Sequence, residues 1–92
     1  MDDENMTVQA EMPKYRSHKI VWAFKIAAIE IKQDNSAVIA PEDEGYAPFN
    51  VSPDWGLRFK GSEEDKGYYV VYEDGYKSWS PTKAFEEGHT RI

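Results

Sequence analysis

The dipeptide Asp74-Gly75 separates two aromatic runs, Gly67-Tyr68-Tyr69-Val70-Val71-Tyr72-Glu73 and Tyr76-Lys77-Ser78-Trp79-Ser80. Asp-Gly accepts positive φ at both centres of a type I′ turn, so the pattern predicts a β-hairpin closed by a two-residue loop. In that register Glu73 faces Tyr76, Tyr72 faces Lys77, Val71 faces Ser78 and Val70 faces Trp79. Tyr68, Val70, Tyr72 and Trp79 then share one face, while Tyr69, Val71 and Tyr76 share the other. Both faces are aromatic. A hairpin with one side in water has no need of this, so one face is expected in the core and the other against a helix, a ligand or a partner.

The rest of the chain reads as further short strands. From Lys19 to Ile31 apolar residues alternate at Ile20, Trp22, Phe24 and Ile26, then slip phase to Ile29 and Ile31 across Ala27-Ala28. A period-two pattern changes face only by inserting a residue, so a β-bulge is expected near Ala27. Ala37 to Ala40 pairs back on this strand after the polar turn Gln33-Asp34-Asn35-Ser36. Tyr46 to Val51 reads as extended and is confined to a sheet edge by Pro48, which has no N–H to donate. Two helix starts follow from Ser-Pro pairs, with Ser52 and Ser80 as N-caps, Pro53 and Pro81 as first helical residues, and Gly88 at the C′ position of the second helix. His89 to Ile92 returns as a strand edge. The expected fold is a small, β-rich α+β domain: four or five mostly antiparallel strands in a curled sheet or partial barrel, with two short helices. Residues 1–12 show neither period, carry four acidic side chains, and read as a flexible acidic leader to a single domain over 13–92.

Composition narrows the function. The chain has 92 residues, no cysteine, and 17 acidic against 11 basic side chains. One hydrophobic core is all this length supports. Without cysteine there is no disulfide framework, thiolate zinc cluster or thiol nucleophile. No apolar run reaches the roughly 18–20 residues of a membrane span, and the start is acidic where a signal peptide is basic, so the expected location is the cytoplasm. A net charge of −6 repels phosphate backbones and disfavours direct nucleic-acid binding. His18 and His89 are the only imidazoles. There is no nucleophile elbow, paired-histidine motif or phosphate loop. No catalytic residue, metal site or cofactor is assigned, and the chain is not expected to be an enzyme.

Charge is nonetheless segregated. The net value is −4 over residues 1–13, +4 over 14–32, −5 over 33–66 and −1 over 67–92. Two acidic runs, Glu42-Asp43-Glu44 and Glu63-Glu64-Asp65, form a candidate acidic face; consecutive acids do not present the alternating oxygens of a calcium loop. The basic run from Lys14 to Lys19 holds Tyr15, Arg16 and Lys19, a set able to clamp a phosphate or carboxylate and stack on a base. Thirteen aromatic residues, six of them Tyr, exceed what a small core needs, so Trp55, Tyr69 and Tyr76 join Tyr15, Arg16 and Lys19 as candidate binding residues.

The segments Lys14-Tyr15-Arg16-Ser17-x-Lys19-x-Val21-x-Ala23 and Gly67-x-Tyr69-Val70-Val71-x-x-Asp74-Gly75-Tyr76-x-Ser78-x-Ser80-Pro81-x-x-Ala84-Phe85-Glu86-x-Gly88 resemble a set of small accessory proteins encoded by tailed bacteriophages and prophages. The likeness covers the two ends of the domain. In that set a Tyr often follows the last Gly; here His89 stands there. The resemblance implies a phage origin and, for a protein of this size, antagonism of a bacterial defence system in the host cytoplasm. Two routes fit: occupying a basic surface of a host defence protein with the acidic face, or sequestering a small nucleotide signal with the basic and aromatic patch, helped by homo-oligomer formation. A structural or assembly role in the virion is the alternative.

Overall fold

The computed structural model describes residues 12–17 and 19–92. The leader therefore lies outside the described residues, apart from Met12. That residue is buried against Phe24 and its neighbours.

Seven strands form one antiparallel sheet: β1 (Lys14–Arg16), β2 (Ile20–Ile31), β3 (Ala37–Pro41), β4 (Phe49–Val51), β5 (Tyr68–Tyr72), β6 (Lys77–Ser80) and β7 (Thr90–Arg91). Two helices, α1 (Pro53–Arg58) and α2 (Thr82–Gly88), complete the fold. This is the curled, β-rich α+β architecture read from the sequence, with the expected return after His89 present as the two-residue β7 and the very short β1 added beside it.

The long strand β2 organises everything else. Its first half pairs with β1 on one side and β5 on the other; its second half pairs with β3. The register steps from Ile26↔Pro41 to Ala28↔Ala40, leaving Ala27 as the extra residue, so the phase slip in the sequence is a bulge in the sheet. A bulge bends its strand and adds local twist. Here the bend carries β3 and β4 over one face of the β1–β2–β5–β6 ribbon. Phe24, Ile26, Tyr69 and Val71 of that ribbon meet Ala37, Ile39, Val51 and Trp55 in the larger core. Val21, Ala23, Tyr68 and Val70 point the opposite way and are covered by Phe85 of α2. As Pro48 requires, β4 lies on a sheet edge and pairs only with β3.

The hairpin at Asp74-Gly75 forms, but its loop is one residue longer than the dipeptide indicates. Tyr72 N–H donates to the Tyr76 carbonyl and Gly75 N–H donates to the Tyr72 carbonyl, each at 2.9 Å. Glu73, Asp74 and Gly75 thus make a type I turn closed by a glycine bulge, in which Gly75 alone takes positive φ (89°). The Asp74 carboxylate accepts from Tyr76 N–H at 3.0 Å, which favours this turn over type I′. One residue of slip flips every side chain on the second strand. Trp79 therefore pairs with Tyr69, on the larger core, and Tyr76 stacks on Tyr72 with ring centroids 6.0 Å apart.

Each helix start differs in detail from the other. Ser52 caps α1 as expected, its Oγ accepting from Trp55 N–H at 3.4 Å, with Pro53 opening the helix. Gly56 sits where a Cβ would run into the Asn35 carbonyl, so glycine lets α1 lie against the β2–β3 turn. In α2 the cap position belongs to Pro81, not Ser80, and Pro81 has no side-chain acceptor. Asp65, 17 residues away, supplies it, accepting from Thr82 N–H at 3.2 Å and Thr82 Oγ1 at 2.6 Å. Gly88 is the last helical residue and His89 the C-cap, so no positive-φ C′ glycine is used.

Candidate functional site

Strand topology brings Glu42 of the first acidic run and all of the second run to one place. The Glu42 N–H donates to the Lys25 carbonyl at 2.8 Å, which fixes the start of the β3–β4 connection beside the middle of β2. Tyr68 pairs with Lys25 from the opposite edge, so the charged loop entering β5 arrives at the same point. The result is a groove of about 800 Å³ whose acidic lining is Glu42, Glu63, Glu64, Asp65, Glu86 and Glu87. Three lysines, Lys25, Lys66 and Lys83, lie among them. Six carboxylates against three ammonium groups leave the groove net acidic.

Some of these charges already serve the fold. Asp65 caps α2, and the hydrogen bonds from Thr82 hold its carboxyl below the usual carboxylate range. Glu86 Oε2 accepts from the Tyr68 hydroxyl at 2.7 Å and lies 3.7 Å from Lys25 Nζ, which also stands 3.8 Å from Glu42 Oε1. Glu63 and Glu87 pair with Lys66 and Lys83 along the surface, at 3.7 and 4.0 Å. Exposed pairs of this kind contribute little and exchange readily for an incoming cation. Glu64 has no salt bridge among the described residues. Asp43 is drawn off to Arg91, 3.6 Å away, and Glu44 is exposed outside the groove lining. The acidic face thus joins four of its six expected members and adds Glu86 and Glu87.

The basic and aromatic set does not form a single patch. Trp55 (1% exposed) and Tyr69 (3%) are core residues. Trp55 packs on Phe59 and Tyr69 and donates from Nε1 to the Ser78 carbonyl at 2.9 Å. Burial pushes the Tyr69 hydroxyl up to about 12. Tyr15 is turned edge-on to Phe85 and Tyr68, with centroids 4.8 and 6.0 Å away, and its hydroxyl is likewise raised by burial. Trp55 and Tyr69 are corrected from binding residues to core residues, while Tyr15 is half-buried against the second cluster: the ribbon has a covered core on each side, which absorbs much of the aromatic surplus. Arg16 and Lys19 are exposed, as is Tyr76 at 49%. Lys19 and Tyr76 line a second groove of about 500 Å³ with Tyr72, Glu73 and Asp74. Lys19 Nζ stands 6.0 Å over the Tyr72 ring and the Arg58 guanidinium 5.1 Å over Tyr76, so each open ring face already carries a cation. Arg58, in the last turn of α1, was not legible as part of this group.

His18 lies outside the described residues. His89 Nδ1 donates to the Phe85 carbonyl at 2.9 Å and its ring stacks on Phe85, centroids 4.1 Å apart. It does not line the acidic groove. Among the described residues no cluster of His, Asp and Glu is arranged to hold a metal ion, and no helix is long and apolar enough to cross a membrane. Comparison of the chain with known protein families, with characterised proteins and with solved structures finds no match.

Proposed function

We propose that the protein is a non-enzymatic, phage-encoded binding protein that antagonises a bacterial defence system by seating a basic surface of a host protein in its acidic groove. One observation carries this reading: Glu42, on the β3–β4 connection, and Glu63 and Glu64, on the loop before β5, are brought with Glu86 and Glu87 around a single cleft. A concave surface lined by one sign of charge focuses the field and speeds encounter with an oppositely charged partner. The loose surface pairs at Lys66 and Lys83 are replaceable by arginines or lysines of that partner.

Capture of a nucleotide signal is the second reading, and one observation favours it: Lys19 and Tyr76 line a groove together. Glu73 and Asp74 in the same groove repel an anion, Trp55 and Tyr69 are inside and Tyr15 is half-buried against Phe85, which is why the acidic groove is preferred.

Two variants separate the readings. Glu42→Gln with Glu63→Gln and Glu64→Gln neutralises the groove and leaves the Asp65 cap intact; Arg16→Ala with Lys19→Ala removes the basic pair. Affinity capture from bacterial lysate, with identification of retained proteins and of small molecules released by heating, reads both. The first variant is expected to lose a basic protein partner, with association slowed about 10-fold or more, while the second retains it. Loss of a released nucleotide only in the second variant would establish signal capture instead, and retention of the same partner by both variants refutes the acidic groove.

A further inference from the structure

The bend in β2 leaves an unpaired strand edge. Up to Ile26 the side of β2 opposite β1 and β3 is taken by β5, and the last bond there runs from Ile26 N–H to the Gly67 carbonyl (2.9 Å). Beyond the bulge, Ala28 to Ile31 pair with β3 alone. Lys32 N–H donates to the Ser36 carbonyl (2.8 Å), so the bonded pairs of this antiparallel ladder continue at 30/38 and 28/40. The N–H and C=O groups of Ile29 and Ile31 therefore point outward, and among the described residues no turn or loop backbone bond reaches them.

Other edges of the sheet are blunted in the usual ways. β4 has three residues and follows Pro48, β7 has two, and β6 carries Lys77 and stops at Pro81. Short strands, proline and lysine all discourage edge pairing. The β2 edge from Ala28 to Ile31 has no proline, glycine or lysine, though Glu30 lies in it and Lys32 follows, and its last residue, Ile31, is 46% exposed.

We propose that this edge pairs with the same edge of a second copy of the chain, antiparallel about a two-fold axis through Ile31. Only outward-pointing groups can bond, so Ile29 and Ile31 must face the seam, with Gln33 following them at the start of the β2–β3 turn. With Ile31 on the axis, Ile29 lies opposite Gln33 of the second copy. Glu30 then lies opposite Lys32 of the second copy, and symmetry repeats the pair. These fall at the non-bonded positions, where side chains approach most closely. Sliding to set Ile29 against Ile31 puts the two Glu30 side chains face to face, which is unfavourable. Placing Ile29 on the axis leaves Glu30 against Ala28 and Lys32 against Ile26, with no charge paired. The charge order thus selects one register. Glu30 and Lys32 are both exposed, and neither forms a salt bridge among the described residues. On the core side, a hollow of about 310 Å³ lies between Ile29, Ile31 and Phe59 and the chain's own loop at Gly61, Ser62, Glu63 and Lys66, and the second copy must approach β2 beside that loop.

This inference is independent of the acidic groove. Sedimentation of the full chain from micromolar to millimolar concentration tests it, together with amide exchange at Ile29 and Ile31. The wild type is expected to dimerise at the upper end, with both amides slowing as it does. Glu30→Lys and Lys32→Glu each weaken the dimer about 10-fold, and combining them restores it. Ile31→Lys abolishes it. All three positions are exposed, so far-ultraviolet dichroism is expected to stay unchanged. A wild type that remains monomeric at millimolar concentration, a combined variant no better than either single one, or a dimer that survives Ile31→Lys overturns the proposal.

Discussion

Replacing Phe85 by alanine tests whether the second face of the ribbon is closed by the chain itself. Phe85 is 1% exposed and is the one buried residue of α2. Its ring lies 4.2 Å from Tyr68, 4.8 Å from Tyr15 and 4.1 Å from His89, centroid to centroid. Truncating a buried Phe to Ala costs about 3–5 kcal/mol, through lost transfer free energy and the cavity left behind. A chain of this size has about 5–14 kcal/mol in total, so the loss removes a large share. Urea unfolding followed by tryptophan fluorescence reads it; with a slope of about 1 kcal/mol/M for a small domain, the midpoint should fall by about 3 M or more. Phe85→Leu keeps most of the apolar volume and sheds mainly ring contacts, each worth about 0.5–1.5 kcal/mol, so its midpoint should fall between the other two. A midpoint moved by less than about 0.5 M in Phe85→Ala would show that α2 is not docked there. Tyr68 and Val70 would then be free surface, and the reassignment of the aromatic surplus to packing would fail with it.

Gly75→Ala should cost about 1–2 kcal/mol by urea midpoint, since a Cβ there meets nothing within 4 Å and only the positive φ is strained; an unchanged midpoint would contradict the glycine-bulge loop. Thr82 lowers the Asp65 carboxyl, and Ser36 lowers Asp34 in the same way. A depressed folded value gives stability that is present above the ordinary carboxylate range near pH 4 and lost as pH falls through the folded value. The urea midpoint should therefore drop on acidification, with a shallower drop in Asp65→Asn from a lower starting point; identical acid slopes in the two proteins refute the cap. At the other extreme, burial raises Tyr68 and Tyr69, the latter to about 12. A raised folded value gives stability that is complete below the ordinary tyrosine range near pH 10 and lost as pH climbs through the folded value. Phenolate absorbance should show a late step that coincides with loss of the fold and shrinks in Tyr69→Phe; early ionisation of both rings in an intact fold would refute their burial.

The sequence is informative wherever the determinant is local. The phase slip at Ala27-Ala28 locates the bulge because alternation can break in only one way. Ser52-Pro53 locates α1 because its cap is three residues from its donor. Pro48 locates a sheet edge because a missing N–H cannot be replaced. Reading fails where the determinant is distant or degenerate. Asp-Gly serves a two-residue and a three-residue loop equally well, and the choice exchanges the faces of Tyr76 and Trp79. The acceptor for α2 comes from Asp65 across the fold, so Ser80 is a natural but mistaken cap. Trp55 and Tyr69 look surplus only on the premise of one core; a bent β2 makes two. The acidic runs were visible as residues, but their meeting is a product of pairing on opposite edges of Lys25, which no spacing encodes.

One strand with three partners has a thermodynamic corollary. Since β1, β3 and β5 are all bonded to β2 and both hydrophobic clusters draw residues from it, loss of that strand opens both clusters together. The domain should melt as a single cooperative unit, with no subdomain released early. In native-state exchange the slowest protons should lie in the stretch from Val21 to Ile26, which opens only when everything does.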